Sequence, residues 1–231
     1  MPAQPSSHTP PAQLAARARR LFTTGPVLKR LIQHYRPYIC PFGQLIEQIP
    51  PGSTVLDAGS GGGLFLGLLA STGRIAHGTG FDTSGSAIEI ARRMAERLPA
   101  EQQVLTFHQL DAAAPWPNGP FDAVSIIDVM HHVPPRQHRE LIRRAAERLG
   151  PGGTLLVKDI PPRPYWRACA NRAHDLVLAG QWVHLPRPED IRSWAEGEGL
   201  SLARSERINM LWYGHELMVF VKPGTDRCDA P

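Results

Sequence analysis

Three alternate glycines occur in the run DAGSGGG (residues 57–63), directly after an apolar segment and directly before a helical one. Glycine is required where a chain turns sharply and its backbone must approach a ligand closely. A dinucleotide fingerprint is disfavoured, because Leu64 and Leu66 stand five residues after Gly59 and Gly61, where that fingerprint needs a further glycine. The sequence contains no GxxxxGK[ST] run, so a P-loop is excluded as well.

Acidic residues stand at the carboxyl ends of three further predicted strands, at the edge where open α/β sheets bind their ligands. Asp82 closes the second strand, Asp111 follows the third and Asp128 ends the fourth. The fourth strand is followed closely by His131 and His132, and histidine readily accepts a proton near neutral pH. This pattern predicts a polar ligand site with a candidate base beside it.

Short apolar segments alternate with helical stretches from residue 53 onward, which is typical of a parallel sheet built from βαβ units. The predicted strands are 53–58, 77–82, 103–109, 121–128, 153–159, 200–208 and 215–222, and the last two are expected to pair antiparallel. The predicted helices among them are 63–72, 84–98, 135–149 and 188–198, with Ser84 as an N-cap. Three helices at 12–22, 27–35 and 42–49 precede the first strand, and another is predicted from Pro164 to about Ala179.

The glycine run and the ordered acidic residues resemble those of the class I S-adenosylmethionine-dependent methyltransferases. The run DVMHH (residues 128–132) is similar to the DVLHH type of many small-molecule methyltransferases, including those of quinone biosynthesis, and LGPGGTL (residues 149–155) resembles the family's turn into the fifth strand. The resemblance covers residues 53–159 and continues more weakly to 222. It implies an α/β fold: a Rossmann-like seven-stranded, mostly parallel sheet with an antiparallel C-terminal strand pair, helices on both faces and an N-terminal helical extension.

The resemblance also implies S-adenosyl-L-methionine as the cofactor. Asp82 matches the residue that accepts hydrogen bonds from both ribose hydroxyls, and Asp111 matches the residue that meets the adenine amino group, with Leu110 packed on the ring. The cofactor-binding residues that the resemblance implies are Asp57, Gly59, Ser60, Gly61, Gly63, Asp82, Thr83, Leu110, Asp111 and Asp128. The sequence has no ligand cluster with recognisable metal-binding spacing, so we expect no metal.

In methyl transfer from a sulfonium, the protein mainly binds and orients the reactants and excludes water, because the cofactor supplies the activated group. A hydroxyl acceptor is helped by a base, and the candidate catalytic residues are His131, His132 and His174. The alternative for the adjacent pair is a structural role at the methionine end of the cofactor site.

The segment 160–187 is expected to lie over the methyl group, as the region after the fifth strand does in the family that the chain resembles. The candidates for holding an aromatic or lipid-like acceptor are Lys158, Asp159, Tyr165, Trp166, Trp182 and His184. The alternative is that these aromatic residues belong to the core and the histidines are hydrogen-bonded or exposed.

Charge is distributed unevenly along the 231 residues, of which 42% are hydrophobic and 20% charged. The first 46 residues carry six basic and no acidic side chains, whereas the rest carries 19 basic and 21 acidic ones. We expect a disordered tail at 1–11, a basic helical extension at 12–49 that would form a lid, and a methyltransferase domain at 50–222. This domain would contain a cap insertion at 160–187 and be followed by a flexible tail at 223–231.

The expected partner is a small-molecule acceptor with a phenolic, quinone-like or polyketide-like hydroxyl. The near-neutral domain after the basic segment disfavours nucleic acid as a partner. The basic helices at 12–36 could contact an anionic membrane surface, cover the substrate mouth, or simply be solvated. Three cysteines without a CxxC spacing and an N-terminus without an apolar signal segment predict a reducing, cytoplasmic location, while the oligomeric state is not predicted.

Two other functions stay open at this point. One is RNA or protein methylation, but Asp128 is not followed by the Pro-Pro-Tyr/Phe motif that members use on amide or exocyclic nitrogen. The other is cofactor binding without turnover, which the intact acidic set of Asp57, Asp82, Asp111 and Asp128 argues against.

Overall fold

The structure is a computed structural model that describes residues 8–161, 184–211 and 213–224. The helices in these ranges are α1 (Pro11–Leu21), α2 (Val27–Ile39), α3 (Phe42–Glu47), α4 (Leu64–Ser71), α5 (Gly85–Ala95), α6 (His138–Arg148) and α7 (Pro188–Gly197). The strands are β1 (Ser53–Ala58), β2 (Ile75–Asp82), β3 (Leu105–Gln109), β4 (Phe121–Ile127), β5 (Leu149–Asp159), β6 (Ser201–Met210) and β7 (Tyr213–Val221). A short 3-10 turn, Met130–His132, follows β4.

The strands form one seven-stranded sheet in the order β3-β2-β1-β4-β5-β7-β6. The first five strands of the chain pair in parallel, and β7 pairs antiparallel with both β5 and β6. The predicted Rossmann-like sheet with its antiparallel C-terminal pair is therefore confirmed. The strand order reverses between β1 and β4, and a crevice for a ligand forms outside the carboxyl ends of strands at such a point.

Helices cover both faces of the sheet, because successive strand residues point to opposite sides. Val55 belongs to the core that also holds Leu69 of α4, whereas the next residue, Leu56, belongs to the core that holds Ile142 of α6 and Ile191 of α7. Both faces of the central strands are thus buried, which explains their continuous apolar sequence.

The element bounds differ from the prediction at a few ends. The hydroxyl of Ser84 accepts the Ala87 N–H at 3.3 Å, so the predicted N-cap of α5 is confirmed. Helix α2 continues past its predicted end at residue 35, because the buried Pro37 is accommodated inside it. Strand β5 begins at Leu149 instead of 153, because Leu149 already pairs with β4. The helix predicted at 164–179 lies outside the described residues.

The N-terminal helices are packed on the domain to different extents. Helix α1 packs against α2 and α4, and Leu14, Ala18 and Leu21 are buried in the same core as the residues of α4. Helix α2 instead lies at the carboxyl edge of the sheet, where its inner side lines a cavity. Across the described ranges, no helix combines the length and the apolar character that spanning a membrane would take.

Candidate functional site

The glycine run forms a loop with positive φ angles after β1. Gly59 has φ +74°, and a Cβ at this position would collide with the Val129 side chain. Gly61 has φ +54°, and no heavy atom lies within 4 Å of the place its Cβ would take. Since L side chains rarely adopt these angles, glycine leaves the loop unstrained and its backbone open toward the cavity at Gly61.

Asp82 ties this loop to the start of α5. Its Oδ2 accepts the Gly61 N–H at 2.9 Å, and its Oδ1 accepts the Ser84 N–H at 2.8 Å. Each carboxylate oxygen can accept a second hydrogen bond, so Asp82 can hold the loop and still receive donors from a ligand.

Two adjoining cavities open at the carboxyl edge of the sheet. The first has a volume of about 370 Å³ and lies against α2, β5 and β7. The second has a volume of about 390 Å³ and is lined by the ends of β1 and β2 and by Leu110. Both cavities are lined by Gly59, Asp82, Asp128 and His132. Each volume falls in the range of small-molecule sites.

Asp128 joins three parts of the molecule at the floor of the first cavity. Its φ of +58° is left-handed, a conformation that aspartate tolerates better than most residues. Its Oδ1 is paired with the Nζ of Lys158 on β5, and its Oδ2 accepts from Arg36 of α2 at 3.0 Å. The side chain of Lys158 is 1% exposed. Two cations therefore flank one carboxylate at this point.

The charged groups of this cluster stabilise each other's ionised forms. Burial alone would raise the pKa of Asp128, but Lys158 and Arg36 outweigh it and hold that pKa well below its usual range. Burial alone would likewise lower the pKa of Lys158, and Asp128 outweighs it, so the pKa of the ammonium is raised. Both groups are thus charged at neutral pH although they are largely withdrawn from water.

His131 and Asp159 form a second buried pair. The His131 Nδ1 lies 2.5 Å from Asp159 Oδ1, and each side chain is 3% exposed. Asp159 also accepts the His131 backbone N–H at 3.2 Å and the Ile160 N–H at 2.7 Å. A carboxylate only accepts, so this contact places the ring hydrogen on Nδ1 and makes Nε2 the basic nitrogen.

Nine of the fifteen sequence-predicted site residues that the structure describes meet at the two cavities. Those on the walls are Gly59, Gly61, Asp82, Thr83, Leu110, Asp128, His131, His132 and Lys158. The predicted residues that are described but stand back from the walls are Asp57, Ser60, Gly63, Asp111, Asp159 and His184. Tyr165, Trp166, His174 and Trp182 lie outside the described residues.

The residues that stand back have identifiable partners or surroundings. The exposed Asp111 accepts the Ala113 N–H at 2.8 Å and so stabilises its own turn. The exposed His184 donates its backbone N–H to the His131 carbonyl at 3.0 Å. The Ser60 hydroxyl is buried and makes no hydrogen bond within the described part of the chain.

In that same part of the chain, no three His, Cys, Asp or Glu residues are grouped as a metal site would need.

The sequence prediction missed wall residues from two elements. Helix α2 contributes Arg36, Cys40 directly follows that helix, and β7 contributes Tyr213 and His215. Burial raises the pKa of Cys40 to about 11, so its thiol is neutral. Arg36 has helical spacing with Ile32 and Ile39, which would have indicated a shared inner face. Strand β7 runs antiparallel to β5, so its first residues lie beside the carboxyl end of β5. This arrangement would have indicated Tyr213 and His215 as wall residues.

Asp57 lies buried beneath the loop, where its Oδ1 accepts the Ser125 hydroxyl at 2.6 Å. Burial raises the pKa of Asp57 to about 7, and the hydrogen bond from Ser125 opposes part of this rise. Below the pKa that the carboxyl has in the unfolded chain, near 4, a raised pKa makes its full contribution to the free energy of unfolding. This contribution is lost as the pH rises through the pKa of the folded protein.

Asp57→Asn removes this titration and keeps an acceptor for Ser125. Relative to the variant, we expect the wild-type free energy of unfolding to fall by about 1 kcal/mol per pH unit between about pH 4 and pH 7. Urea unfolding of both proteins across this range measures the difference. If the free energies of unfolding of the two proteins change with pH in parallel, Asp57 does not titrate in this way.

A family profile described as a methyltransferase domain matches residues 31–205, well over half of the chain. The chain belongs to the methyltransferase-domain family. The ubiquinone biosynthesis O-methyltransferase of Paramagnetospirillum magneticum is 36% identical to this methyltransferase over 183 residues, covering 75% of this chain and 70% of that protein. The protein of the same name from Pseudomonas paraeruginosa is 28% identical over 159 residues, covering 65% and 66%.

This methyltransferase spans slightly less than two thirds of the first curated relatives it matches, namely 66% of the Pseudomonas paraeruginosa protein and 64% of its Coxiella burnetii counterpart. Among solved structures, it resembles magnesium protoporphyrin IX methyltransferase from Synechocystis PCC 6803 with bound SAM. That match has a TM-score of 0.65 and 23% identity and covers 90% of each chain. An O-methyltransferase family protein from Burkholderia thailandensis matches with a TM-score of 0.70 and 19% identity, covering 86% of this chain and 59% of that one. These structures share the fold.

Family membership confirms the resemblance found in the sequence, and the cofactor that this resemblance implies is S-adenosylmethionine. The described residues fit such a group. The loop backbone is open at Gly61, Asp82 stands where the two cavities join, and Leu110 lines the second cavity as the resemblance implies for the adenine end.

Asp82→Asn tests this placement of the cofactor. The amide keeps one acceptor but turns an NH2 group toward a backbone N–H, so both the loop and the ligand lose a hydrogen-bond partner. We expect the affinity for S-adenosylhomocysteine to fall roughly tenfold to a hundredfold, measured by calorimetry. Asp122→Asn is the matched control, because Asp122 also accepts a backbone N–H, from Thr54 at 2.7 Å, but at the opposite end of the sheet. Equal losses in both variants would contradict the placement.

Proposed function

We propose that this methyltransferase transfers the methyl group of S-adenosylmethionine to a hydroxyl oxygen of a small phenolic, quinone-like or polyketide-like acceptor. The observation that carries the proposal is the buried His131–Asp159 pair at the wall of the first cavity. The relatives named as O-methyltransferases support oxygen as the acceptor atom. When bound, the cofactor supplies a methyl group already activated on a sulfonium.

In this proposal His131 removes the proton of the acceptor hydroxyl. Asp159 holds the ring hydrogen on Nδ1, so Nε2 is the nitrogen that takes the proton, and the carboxylate stabilises the imidazolium that results. Asp159 acts here as a positioning residue, because both of its oxygens are engaged with His131 and Ile160 and it does not line either cavity.

The Lys158–Asp128–Arg36 cluster favours the oxyanion form of the acceptor. Its two cations lie at the floor of the same cavity, and Lys158 is shielded from water, where charge acts more strongly than in solvent. The apolar part of the acceptor would pack on Ile127, Ile160 and Tyr213, which line the same space.

Helix α2 acts as the lid that the sequence suggested. Its inner residues close one side of the first cavity, and the Arg36–Asp128 ion pair fixes it to the floor. Its role is to exclude water from the acceptor, because water would compete for hydrogen bonds with the forming oxyanion.

Asp159→Asn is the experiment that tests this function. The amide allows the reversed tautomer of His131, so we expect kcat for methylation of a phenol to fall at least roughly tenfold while S-adenosylhomocysteine affinity is kept. Asp122→Asn is again the control, because that carboxylate lies far from the cavities. An unchanged kcat in Asp159→Asn would remove the pair from the reaction.

A further inference from the structure

Helix α2 exposes a continuous apolar stripe. Val27, Leu28, Leu31 and Tyr35 are 61%, 65%, 56% and 44% exposed, and Leu211 is the one other exposed large apolar side chain among the residues that the structure describes. These four positions fall within about 100° of arc on a helix, so they form a single face. Contiguous exposed apolar surface of this kind marks an interaction site.

The stripe is not the face with which α2 packs on the domain. That inner face carries Ile32, Arg36 and Ile39, which line the first cavity, and Arg36 is fixed to Asp128 at 3.0 Å. The orientation of the helix is therefore set by its inner contacts, which leave the apolar stripe in solvent. Tyr35 belongs to both faces, since it is exposed and also lines the cavity.

The N-terminal segment that carries the stripe has charge of one sign. The first 46 residues contain six basic and no acidic side chains. Arg19 and Arg20 are exposed at the end of α1, which packs against α2. An apolar helix face with basic side chains next to it matches the headgroup and acyl boundary of a membrane that carries anionic lipid.

We propose that α2 docks this methyltransferase on an anionic phospholipid surface. Leu28 and Leu31 enter the boundary between headgroups and acyl chains, while the exposed arginines of α1 contact lipid phosphates. Tyr35 then lies where the docked face meets the first cavity, so an acceptor dissolved in the bilayer reaches the site without crossing water. The docking itself does not depend on the proposed methyl transfer.

Vesicle co-sedimentation of the full chain tests this docking. We expect binding to vesicles that contain phosphatidylglycerol, little binding to pure phosphatidylcholine, and release at about 0.5 M NaCl, because screening removes the lipid attraction. The double variant Leu28→Ser/Leu31→Ser should lower the vesicle partition coefficient at least roughly tenfold. Leu211→Ser, which changes a leucine that is 59% exposed in the turn between β6 and β7, should bind like the wild type.

Calorimetric binding of S-adenosylhomocysteine and the urea midpoint of the double variant should match the wild type, since both leucines are exposed and lie outside the cavities. The proposal is overturned if the wild type ignores phosphatidylglycerol vesicles or if the double variant binds them equally well. It is also overturned if sedimentation velocity shows a dimer that the double variant dissociates while vesicles stay unbound, because the stripe would then pair with a second copy.

Discussion

Replacing His131 by asparagine is expected to lower kcat for methyl transfer to a phenol about a thousandfold, within the usual contribution of a positioned general base. Asparagine occupies a similar volume but cannot take a proton, and the Asp159 carboxylate would then face an amide. Because His131 acts on the acceptor, S-adenosylhomocysteine should still bind with an affinity within about twofold of the wild type.

His77→Asn is the control for this prediction, because His77 is exposed on β2 and lies on neither cavity wall. It should retain the wild-type kcat and cofactor affinity. If His131→Asn and His77→Asn turn over equally, the general-base role is refuted. If His131→Asn loses cofactor binding and turnover in proportion, the adjacent histidines shape the cofactor site instead, which is the alternative that the sequence left open.

Replacing Lys158 by methionine is expected to lower the free energy of unfolding by about 3 kcal/mol, the loss typical of removing one partner of a buried ion pair. The methionine fills similar space, but Asp128 keeps Arg36 as its remaining cationic partner. The pKa of Asp128 should rise as a result, because Lys158 is the leading attraction that counters its burial. Urea unfolding at neutral pH measures the loss.

The double variant Lys158→Met/Asp128→Asn provides the control, because it removes the carboxylate together with its partner. Asparagine tolerates the left-handed backbone at position 128, where φ is +58°, so the substitution adds little strain. We expect the double variant to regain most of the stability that the single variant loses. If the double variant is instead less stable than Lys158→Met by as much as Asp128→Asn alone destabilises the wild type, the two side chains are not coupled.

The sheet and its helices were accessible from the sequence because local signals determine them. Alternating apolar segments, the Ser84 cap and the glycine run each act within a few residues, and the structure confirms the elements they predicted. The strand-end positions of Asp82 and Asp128 followed from the same signals, since parallel strands bring their carboxyl ends to one edge.

The contacts that define the acceptor side depend on residues far apart in the sequence. The ion pair between Arg36 and Asp128 joins residues 92 positions apart, and no local pattern indicates it. Asp159 is a predicted substrate contact, and in the structure its Oδ1 contacts His131 Nδ1 while the residue lines neither cavity. Tyr213 and His215 lie at the amino end of the antiparallel β7 and line the cavity from there. A prediction based only on the carboxyl ends of the parallel strands does not include them.

Mass spectrometry of a phenol panel incubated with the protein and S-adenosylmethionine tests the proposed function most directly. The panel would contain catechols, hydroquinones and hydroxybenzoates, with aniline and thiophenol analogues beside them. We predict at least one hydroxyl compound that gains about 14 Da, with one S-adenosylhomocysteine formed per product. That product should fall to background with His131→Asn. Methylation of the nitrogen or sulfur analogues alone, or equal product from His131→Asn, would contradict hydroxyl methylation at the His131–Asp159 pair.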